Sequence, residues 1–281
     1  MAGSAAPRLS PRALLVAGAL LLLRVPAAAD TISPRYDHVV IVIEENHSAS
    51  EVRDSPYMTS LAARGTVLTR SYAVAHPSQP NYIALFSGST QGIRDDMRHD
   101  VTAPNLATAL IGAGLSFASY SEGLPLVGFR GMSSGRYVRK HNPSASFLNV
   151  PDAVNLPFSS FPSSDYASLP TVAFVAPNLD NDMHDGSVAA GDEWLRQRID
   201  GYAQWSKDHN SLLVVTFDEG QGQEPVATTP ITTILVGARV RRGTFDWPLT
   251  HYSLLRMVED FYGLPPMGEE RYAQRIVDIW E

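Results

Sequence analysis

Four short runs of almost uninterrupted apolar residues constrain the fold of this chain more than any other feature. They occupy residues 39–43 (VVIVI), 172–176 (VAFVA), 212–217 (LLVVTF) and 232–236 (TTILV). Strands with one face in water alternate polar and apolar residues, whereas uninterrupted runs are typical of strands covered on both faces. Helical patterns separate the runs. We therefore expect an α/β fold with a mainly parallel sheet and helices on both of its faces.

Helix signals fall between these runs. Ser55 is a typical N-cap, Pro56 fits the first helical position, and Gly65 is a typical stop signal. Further patterns predict helices at 105–114, 192–208 and 251–263, and, more weakly, strands at 66–74 and 116–120. Together they predict one α/β domain over residues 30–281, a length sufficient for a substantial core.

Residues 123–168 are the exception to this regular alternation. The segment is rich in Gly, Pro, Ser and aromatic residues and has no clear periodicity. Irregular segments of this length tend to be functional, so we expect a cap over the substrate face of the domain. Its aromatic side chains would either contact an apolar substrate or pack a small core; they are Phe129, Tyr137, Phe147, Phe158 and Phe161.

The first 29 residues have the layout of a secretory signal peptide. Arg8 and Arg12 precede an apolar run at 13–23, and the small residues up to Ala29 offer a cleavage site. The run has 11 residues, which is too short for a helix that crosses a bilayer. We therefore expect a secreted protein that begins at Asp30 and does not insert stably into a membrane.

The net charge and the cysteine content exclude certain classes of binding partner and of catalytic site. Removing Arg8, Arg12 and Arg24 from the 22 basic residues leaves 19 against 29 acidic ones, a net charge of −10. Such an acidic protein is not expected to bind nucleic acid. Cysteine is absent, which excludes a cysteine nucleophile and a cysteine-based zinc site.

Polar side chains that could bind a metal or transfer a proton follow the predicted strands. In chain order they are Glu44, Glu45, Asn46 and His47; His76 and Ser78; Asn178, Asp180, Asp182, His184 and Asp185; Asp218 and Glu219; and His251. Ligands bind beyond the carboxyl ends of the strands in open α/β sheets, so we expect five strand ends to form one cleft. A divalent cation would stabilise so many carboxylates, and Ca, Mg, Mn, Zn and Fe all remain open.

Ser78 lies in the segment HPSQPNY at residues 76–82. Turn chemistry alone explains a serine between two prolines. The following residues predict a helix from Gln79, with Ser78 as its N-cap and Pro80 in the first turn. A hydroxyl at that position faces the positive end of the helix dipole, and a metal-bound hydroxyl is a good nucleophile. The two interpretations are compatible, because a rigid turn would position the nucleophile.

Six short motifs occur in a recognisable order: EENHS, HPSQPNY, YVRKHNP, DMHDG, TFDEG and HYSLLRMVEDFYGL. As an ordered set they resemble the secreted phosphoesterase family of the alkaline phosphatase superfamily. That family groups acid phosphatases, phosphatidylinositol 3-phosphate phosphatases and bacterial phospholipases C. The resemblance implies an alkaline-phosphatase-like fold and a hydrolase that acts on phosphoric esters.

The resemblance also implies a role for each motif. The implied metal ligands are Glu45, Asn46, Ser78, Asp218 and Glu219. A second ion is left open, and its implied ligands are Asp182, His184 and His251. The implied catalytic set is Ser78 as nucleophile with His184, His251 and Asp185, where a protonated histidine assists the leaving alcohol. The role of His76 stays open.

The motif YVRKHNP supplies three basic residues in the irregular segment. Arg139, Lys140 and His141 are expected to clamp the substrate phosphate through charge-assisted hydrogen bonds, with a solvated basic turn as the alternative. The expected function is a secreted, metal-dependent, acid-phosphatase-like phosphomonoesterase that forms a phosphoserine. Its substrates would be small phosphorylated molecules, phosphoinositides and phospholipid head groups included.

Three other functions compete with this one. A phospholipase C-type phosphodiesterase belongs to the same family, and a binding protein for phosphorylated ligands would keep the acidic cleft without turnover. A sulfatase needs an arginine at the end of a C/S-x-P-x-R motif, and Tyr82 stands at that position. The sequence therefore disfavours a sulfatase and leaves the first two alternatives open.

Overall fold

The computed structural model describes residues 1–3, 33–222 and 225–281. The chain divides into two units, Met1–Ile32 and Ser33–Glu281, and the strands and helices of the described residues belong to the second. Apart from residues 1–3, the predicted signal peptide lies outside the described residues. Within the described ranges, no helix combines the length and the apolar character needed to cross a membrane.

Strands and helices alternate along the second unit. The described strands are β1 (His38–Glu44), β2 (Thr66–Leu68), β3 (Ser71–Tyr72), β4 (Phe117–Ser121), β5 (Ser133–Ser134), β6 (Tyr137–Val138), β7 (Asn155–Pro157), β8 (Val172–Ala176), β9 (Ser211–Phe217), β10 (Pro230–Ile231), β11 (Thr233–Gly237), β12 (Gly243–Phe245) and β13 (Leu249–Thr250). The described α-helices are α1 (Ala49–Val52), α2 (Pro56–Ala62), α3 (Ser78–Ser87), α4 (Leu106–Gly112), α5 (Pro143–Ser146), α6 (Val188–Arg198), α7 (Asp200–Trp205) and α8 (His251–Tyr262).

Eight strands form the central sheet, in the order β12-β2-β11-β9-β1-β8-β4-β7. From β9 to β7 all neighbouring strands are parallel, whereas β11 runs antiparallel to both β9 and β2. Every residue of β8 and of β9 is buried. The predicted α/β fold with a mainly parallel, doubly covered sheet is confirmed.

Alternate residues of β1 belong to two different hydrophobic clusters. Val39, Ile41 and Ile43 pack with residues of α3, α4 and α8. Val40 and Val42 pack with residues of α2, α6 and α7. Because successive side chains of a strand point to opposite faces, the two clusters are the cores on the two sides of the sheet. Helices therefore cover both faces, as predicted.

The ends of α2 show one correct and one incorrect helix signal. Ser55 is the N-cap and Pro56 the first helical residue, as predicted, but α2 already ends at Ala62. A Cβ atom on Gly65 would lie 1.9 Å from the Leu235 carbonyl oxygen. Glycine is required there by the close approach of β11, rather than as a stop signal for the helix.

The predicted helix at 192–208 is two helices. α6 starts earlier, where the Ser187 side chain accepts the N–H of Ala190 as an N-cap, and Ile199 separates it from α7. Leu195, Ile199 and Tyr202 are all fully buried, so the apolar face continues across the break. Hydrophobic periodicity located the buried face but did not reveal the interruption.

The irregular segment 123–168 carries short elements and part of the core. β7 lies within it and extends the central sheet by parallel pairing with β4. Tyr137, Phe147, Phe158 and Phe161 are buried, which favours the core-packing alternative for these four aromatic residues. Residues 139–141 form a single turn of 3-10 helix beside the candidate active site.

Two buried carboxyl groups lie behind the C-terminal end of α3. Glu259 and Glu270 are fully buried, and Glu270 packs against Gly88, where a Cβ would meet its Oε2. Neither side-chain oxygen of Glu259 has a hydrogen-bond partner among the described residues. Burial raises the pKa of Glu259 to about 8, and the neighbouring Glu270 adds to the effect.

We expect Glu259→Gln to flatten the pH dependence of stability. Between its unfolded pKa of 4.5 and its folded value of about 8, Glu259 keeps a proton that the unfolded chain releases. The free energy of unfolding therefore falls as pH rises through this window, by up to about 1.4 kcal/mol per pH unit for one group. Glutamine has no proton to lose, so this contribution disappears.

Urea unfolding between about pH 5 and 8 measures the slope for the wild type and for Glu259→Gln. Glu193→Gln is the control, because Glu193 is exposed and its pKa lies low, at about 2, through hydrogen bonds from Arg196 and Gln197. If the free energy of unfolding depends on pH equally in the wild type and in Glu259→Gln, the pKa of Glu259 is not raised.

Candidate active site

The loops that follow three parallel strands of the central sheet meet at one edge. Glu45 and Asn46 follow β1, Asp182 lies in the loop after β8, and Asp218 follows β9. The Glu45 N–H donates to the Asp182 carbonyl at 2.8 Å, and the Asn46 N–H donates to Asp218 Oδ1 at 2.9 Å. Asn46 has a φ of 52°, a left-handed conformation that asparagine tolerates well. The three loops are therefore tied together at the carboxyl ends of the strands.

Ser78 and His251 reach this edge from a different sheet. Ser78 comes after β3 and His251 directly after β13, and both strands belong to the three-stranded sheet β10-β3-β13. Because β11 is antiparallel to β9, its carboxyl end lies at the opposite edge of the central sheet. The prediction of five strand ends at one edge of one sheet is wrong for these two strands. A buried apolar run has the same pattern in either direction and in any sheet.

The start of α3 fixes the position of Ser78. The helix begins at Ser78 itself, one residue earlier than predicted, and Pro77 is its N-cap. Asn81 in the first turn accepts the N–H groups of Val74 and Ala75, each at 3.0 Å, and donates to the Ala75 carbonyl at 2.9 Å. The incoming chain is thus fastened to the helix that it enters. Ser78 is held at the helix N-terminus, where the dipole favours negative charge.

The Ser78 hydroxyl is buried between two carboxyl groups. Its Oγ lies 3.0 Å from Glu45 Oε2 and 3.4 Å from Glu219 Oε1. Glu219 Oε2 is in turn 2.5 Å from His76 Nδ1 and 3.4 Å from Asn81 Nδ2. A serine with acceptors on two sides has a direct route for losing its proton. His76, whose role the sequence left open, contacts the site through Glu219.

Glu45 and His141 form a buried ion pair. His141 Nε2 lies 3.1 Å from Glu45 Oε2, its Nδ1 lies 3.1 Å from Asp182 Oδ2, and the Tyr82 hydroxyl donates to Glu45 Oε1. Burial alone would raise the pKa of Glu45, but His141 and Tyr82 lower it to about 2. Burial alone would lower the pKa of His141, but Glu45 and Asp182 raise it to about 9. Both groups are therefore charged at neutral pH.

Asp218 and Glu219 are carboxyl groups whose charged forms are poorly compensated. Burial and the nearby Glu45 raise the pKa of Glu219 to about 8 and that of Asp218 well above its usual range. Asp218 Oδ1 accepts the N–H groups of Asn46 and Glu219, whereas its Oδ2 is buried with no partner among the described residues. An unpartnered carboxylate oxygen beside the serine hydroxyl is a suitable ligand for a divalent cation.

A second set of donors supports the same conclusion. Among the described residues, Glu45, His141 and His184 offer ligand atoms that all lie within 4.8 Å of one another. One carboxylate and two imidazoles suit a transition metal, and Asp218 and Glu219 add oxygen donors nearby. The residues present therefore fit a divalent cation. The sequence placed His141 at the phosphate and did not predict its contact with Glu45, because no spacing rule links the irregular segment to β1.

His184 is oriented by charged neighbours on both sides of its ring. Its Nδ1 lies 2.8 Å from Asp185 Oδ1, its Nε2 lies 3.3 Å from Lys140 Nζ, and its N–H donates to Asp182 Oδ1 at 2.8 Å. Asp185 is held by Arg136 Nη2 at 2.7 Å. The side chain of His184 is 26% exposed, so a substrate can reach it. The arrangement of a carboxylate behind an exposed imidazole suits proton transfer.

His251 is buried and contacts the backbone of the loop that follows β9. Its Nε2 lies 2.6 Å from the Asp218 carbonyl oxygen, so Nε2 must carry the proton and donate it to that oxygen. Burial lowers the pKa of His251 to about 4, which leaves the ring neutral at neutral pH. Its Nδ1, the free lone pair in this tautomer, has no hydrogen-bond partner among the described residues. A neutral His251 is suited to hold Asp218 in place.

Arg139 has protein partners in place of a phosphate. The side chain is 1% exposed, and its Nη2 donates to Asp100 Oδ1, the His99 carbonyl and the Ala145 carbonyl at 2.7, 2.9 and 3.0 Å. Burial lowers the pKa of Arg139. These contacts fasten the loop around residue 99 to α5. The other two residues of the predicted phosphate clamp lie in the candidate site: Lys140 is beside His184, and His141 is beside Glu45.

Comparison with known proteins gives a family and a set of relatives. The model of the Phosphoesterase family matches residues 49–265. A phosphatidylinositol-3-phosphatase from Mycobacterium tuberculosis is 46% identical over 253 residues, which cover 88% of this chain and 84% of the relative. An acid phosphatase from Aspergillus fumigatus is 33% identical over 256 residues, which cover 84% of this chain but only 57% of the relative.

Solved structures with much lower identity share the fold. An alkaline phosphatase superfamily protein from Vibrio parahaemolyticus has a TM-score of 0.62 at 13% identity, over 88% of this chain and 72% of that one. The lipoteichoic acid synthase LtaP from Listeria monocytogenes has a TM-score of 0.60 at 10% identity, over 87% and 78%. At these identities the likeness concerns the fold alone, which is the alkaline-phosphatase-like α/β fold expected from the sequence.

Proposed function

Because this chain belongs to the phosphoesterase family, and is therefore a hydrolase of phosphoric esters, we propose that it is a metal-dependent phosphomonoesterase with Ser78 as nucleophile. The observation that carries the proposal is the Ser78 hydroxyl. It sits at the start of α3, 3.0 Å from Glu45 Oε2 and close to the carboxyl group of Asp218. A binding protein has no need of a buried serine in this position.

The divalent cation implied by the family would be held mainly by the carboxylates of this site, which are Glu45, Asp218 and Glu219. His141 would be a further ligand once its ring has lost its proton, since metal ligands must be deprotonated. A bound divalent cation lowers the pKa of a hydroxyl ligand and neutralises charge on phosphoryl oxygens. Asn46 is also part of the proposed ligand set, since its backbone already holds Asp218.

Ser78 Oγ forms a bond to phosphorus while the bond from phosphorus to the alcohol oxygen breaks. The serine proton passes to whichever of the two flanking carboxyl groups is ionised, Glu45 at 3.0 Å or Glu219 at 3.4 Å from Ser78 Oγ. In its protonated form His184, oriented by Asp185 through Nδ1, delivers the Nε2 proton to the leaving alcohol oxygen; in its neutral form the same Nε2 accepts from Lys140. Water then attacks phosphorus and gives its proton to His184, the bond from phosphorus to Ser78 Oγ breaks, inorganic phosphate leaves, and Ser78 regains its proton from the carboxyl group.

The contacts of His251 support a role other than the one that the sequence suggested. A ring that is neutral at neutral pH and already donates to the Asp218 carbonyl has no proton for a leaving group. We therefore propose His251 as the residue that positions Asp218, and His184 as the proton donor.

Recognition of the phosphoryl group falls to Lys140 and to the N-terminal end of α3. Lys140 Nζ lies 3.3 Å from His184 Nε2, and its side chain is 19% exposed. Burial lowers the pKa of Lys140, but Asp96 and Glu45 raise it above its usual value, so the ammonium group stays charged. A fixed cation near Glu45 and Glu219, the two carboxyl groups that flank Ser78, would bind the phosphoryl oxygens by charge-assisted hydrogen bonds.

We propose a substrate class from the relatives and a location from the N-terminal sequence. The Mycobacterium tuberculosis relative is named for phosphatidylinositol 3-phosphate, so we propose phosphoinositide monoesters among the substrates. Secretion is proposed from residues 1–29 of the sequence.

A substrate panel tests the proposal. Protein starting at Asp30, supplied with single divalent ions after chelation, is assayed with p-nitrophenyl phosphate, p-nitrophenylphosphorylcholine and phosphoinositides. We expect the monoester to exceed the diester in kcat/KM by at least about 100-fold, the size of effect that a few mispositioned contacts produce. Preference for the diester would indicate the phospholipase C-type alternative, and binding without turnover would indicate a binding protein.

A further inference from the structure

Asp96 connects the nucleophile helix to Lys140, and the mechanism above does not use it. Its Oδ1 accepts the backbone N–H of Gln79 at 3.0 Å, and Gln79 is the residue next to Ser78 in the first turn of α3. Its Oδ2 accepts from Lys140 Nζ at 2.9 Å. One carboxylate therefore joins the residue beside the nucleophile to the cation proposed to bind phosphate.

The backbone around Asp96 is clamped to the same helix. The buried side chain of Gln79 donates through Nε2 to the carbonyls of Asp95 and Met97, at 3.1 and 2.8 Å. These two bonds grip the chain on either side of Asp96. Three hydrogen bonds from Gln79 thus fix the loop and its carboxylate relative to Ser78. Arg139 holds the loop further along by its contact with Asp100.

The geometry at Lys140 makes the orientation of its ammonium group specific. An ammonium group has three N–H donors. One points to Asp96 Oδ2 at 2.9 Å and a second lies towards His184 Nε2 at 3.3 Å. Two occupied directions on a tetrahedral nitrogen set the third. A lysine is a flexible chain with a compact charge, so without such partners its donors have no fixed direction.

We propose that Asp96 is a positioning residue, which holds Lys140 at a set distance from Ser78 so that the remaining N–H meets the substrate phosphoryl group. The inference rests on the proposed function, because it assigns a task within that reaction. A competing explanation is that Asp96 only compensates the positive end of the α3 dipole. That purely structural role would change stability and leave phosphate binding unaltered.

Asp96→Asn separates the two explanations. The amide keeps an oxygen for the Gln79 N–H, but its NH₂ group cannot accept from Lys140. We expect KM for p-nitrophenyl phosphate to rise about tenfold, the size of one lost charge-assisted hydrogen bond, and competitive inhibition by inorganic phosphate to weaken by about the same factor. Asp96→Glu, which retains the charge, is expected to recover part of the loss.

A double-mutant cycle shows whether Asp96 acts through Lys140. Lys140→Met is expected to raise KM at least as much as Asp96→Asn does, and adding Asp96→Asn to it should change KM less than twofold. If the fold-increase in KM of the double variant equals the product of the two single fold-increases, the proposal is wrong. So would a KM that falls in Asp96→Asn, because Asp96 would then compete with phosphate.

Asp95→Asn is the matched control. Asp95 is the adjacent carboxylate, is exposed and contacts His99 and the Met97 N–H, so its KM should match that of the wild type. Thermal melting checks that each variant folds. If Asp96→Asn does not fold, KM for p-nitrophenyl phosphate is compared between Asp96→Glu and Lys140→Met: a raised KM in both supports the proposal, and a raised KM in Lys140→Met alone contradicts it. An inactive wild type would contradict the proposed function, whereas an active wild type with unchanged KM in Asp96→Asn contradicts this inference alone.

Discussion

Ser78→Ala is expected to lower kcat for phosphate monoesters by at least about 10⁴-fold, with metal supplied. The hydroxyl is the only atom removed, and the carboxylates that flank it, Glu45 and Glu219, stay in place. Substrate binding should therefore change much less than turnover. The measurements are kcat for p-nitrophenyl phosphate and mass spectrometry of acid-quenched enzyme, which should carry one phosphoryl group on Ser78 in the wild type.

Ser87→Ala is the control for this experiment. Ser87 lies at the other end of α3, and its buried hydroxyl donates to the Ile83 carbonyl within the helix. Its loss tests the helix without touching the nucleophile, so kcat should stay within about threefold of the wild type. Retention of a tenth or more of wild-type turnover in Ser78→Ala, or a phosphoryl group trapped on another residue, would refute the assignment of Ser78.

Asp218→Asn is expected to separate stability from activity. Its Oδ1 can still accept the N–H groups of Asn46 and Glu219, but Oδ2 is replaced by an NH₂ group that cannot bind a cation. We expect turnover to fall by about 10²–10³-fold, because removal of a proposed ligand weakens metal binding and the electrostatic stabilisation that the metal provides.

The same variant should be more stable than the wild type when metal is chelated. Burial and neighbouring acids raise the folded-state pKa of Asp218 well above 3.8, so the folded protein keeps a proton that the unfolded chain releases above that pH. The free energy of unfolding of the metal-free wild type therefore decreases as pH rises, and asparagine removes this contribution.

Metal content after purification, kcat, and melting temperature in chelator at neutral pH measure the three effects. Exposed Asp208→Asn is the control and should leave all three unchanged. A variant that keeps both its metal and its activity would show that Asp218 is not a ligand. One that is less stable than the wild type in chelator would contradict the raised pKa.

Much of the scaffold could be predicted because its signals are local. The apolar runs of β1, β8 and β9 and the helix at 251–263 are found where the sequence placed them, and Gly263 ends that helix in the left-handed conformation. Uninterrupted hydrophobicity reports burial on two faces whatever the rest of the chain does. The ordered motifs added the family, which the relatives confirm.

The prediction was less successful for strand direction and for side-chain partners. β11 runs antiparallel, and Ser78 and His251 come from a second, small sheet. His141, which the sequence assigned to the phosphate, forms an ion pair with Glu45. Arg139 of the same motif donates to the Asp100 carboxylate instead of a phosphate. Neighbouring residues of one short motif thus face different surroundings, and residue type does not distinguish them.

The amino-acid order alone was enough to specify a doubly covered α/β sheet, a phosphoesterase family and a set of acids, histidines and one serine from which the site is built. Periodicity, caps and motif order are properties of neighbouring residues, so they can be read without coordinates. Three-dimensional packing was needed to establish which carboxylate touches Ser78, that His251 is neutral, and that Asp96 ties Lys140 to α3. Distances and pKa values depend on groups that are far apart in the chain, and folding alone brings them together.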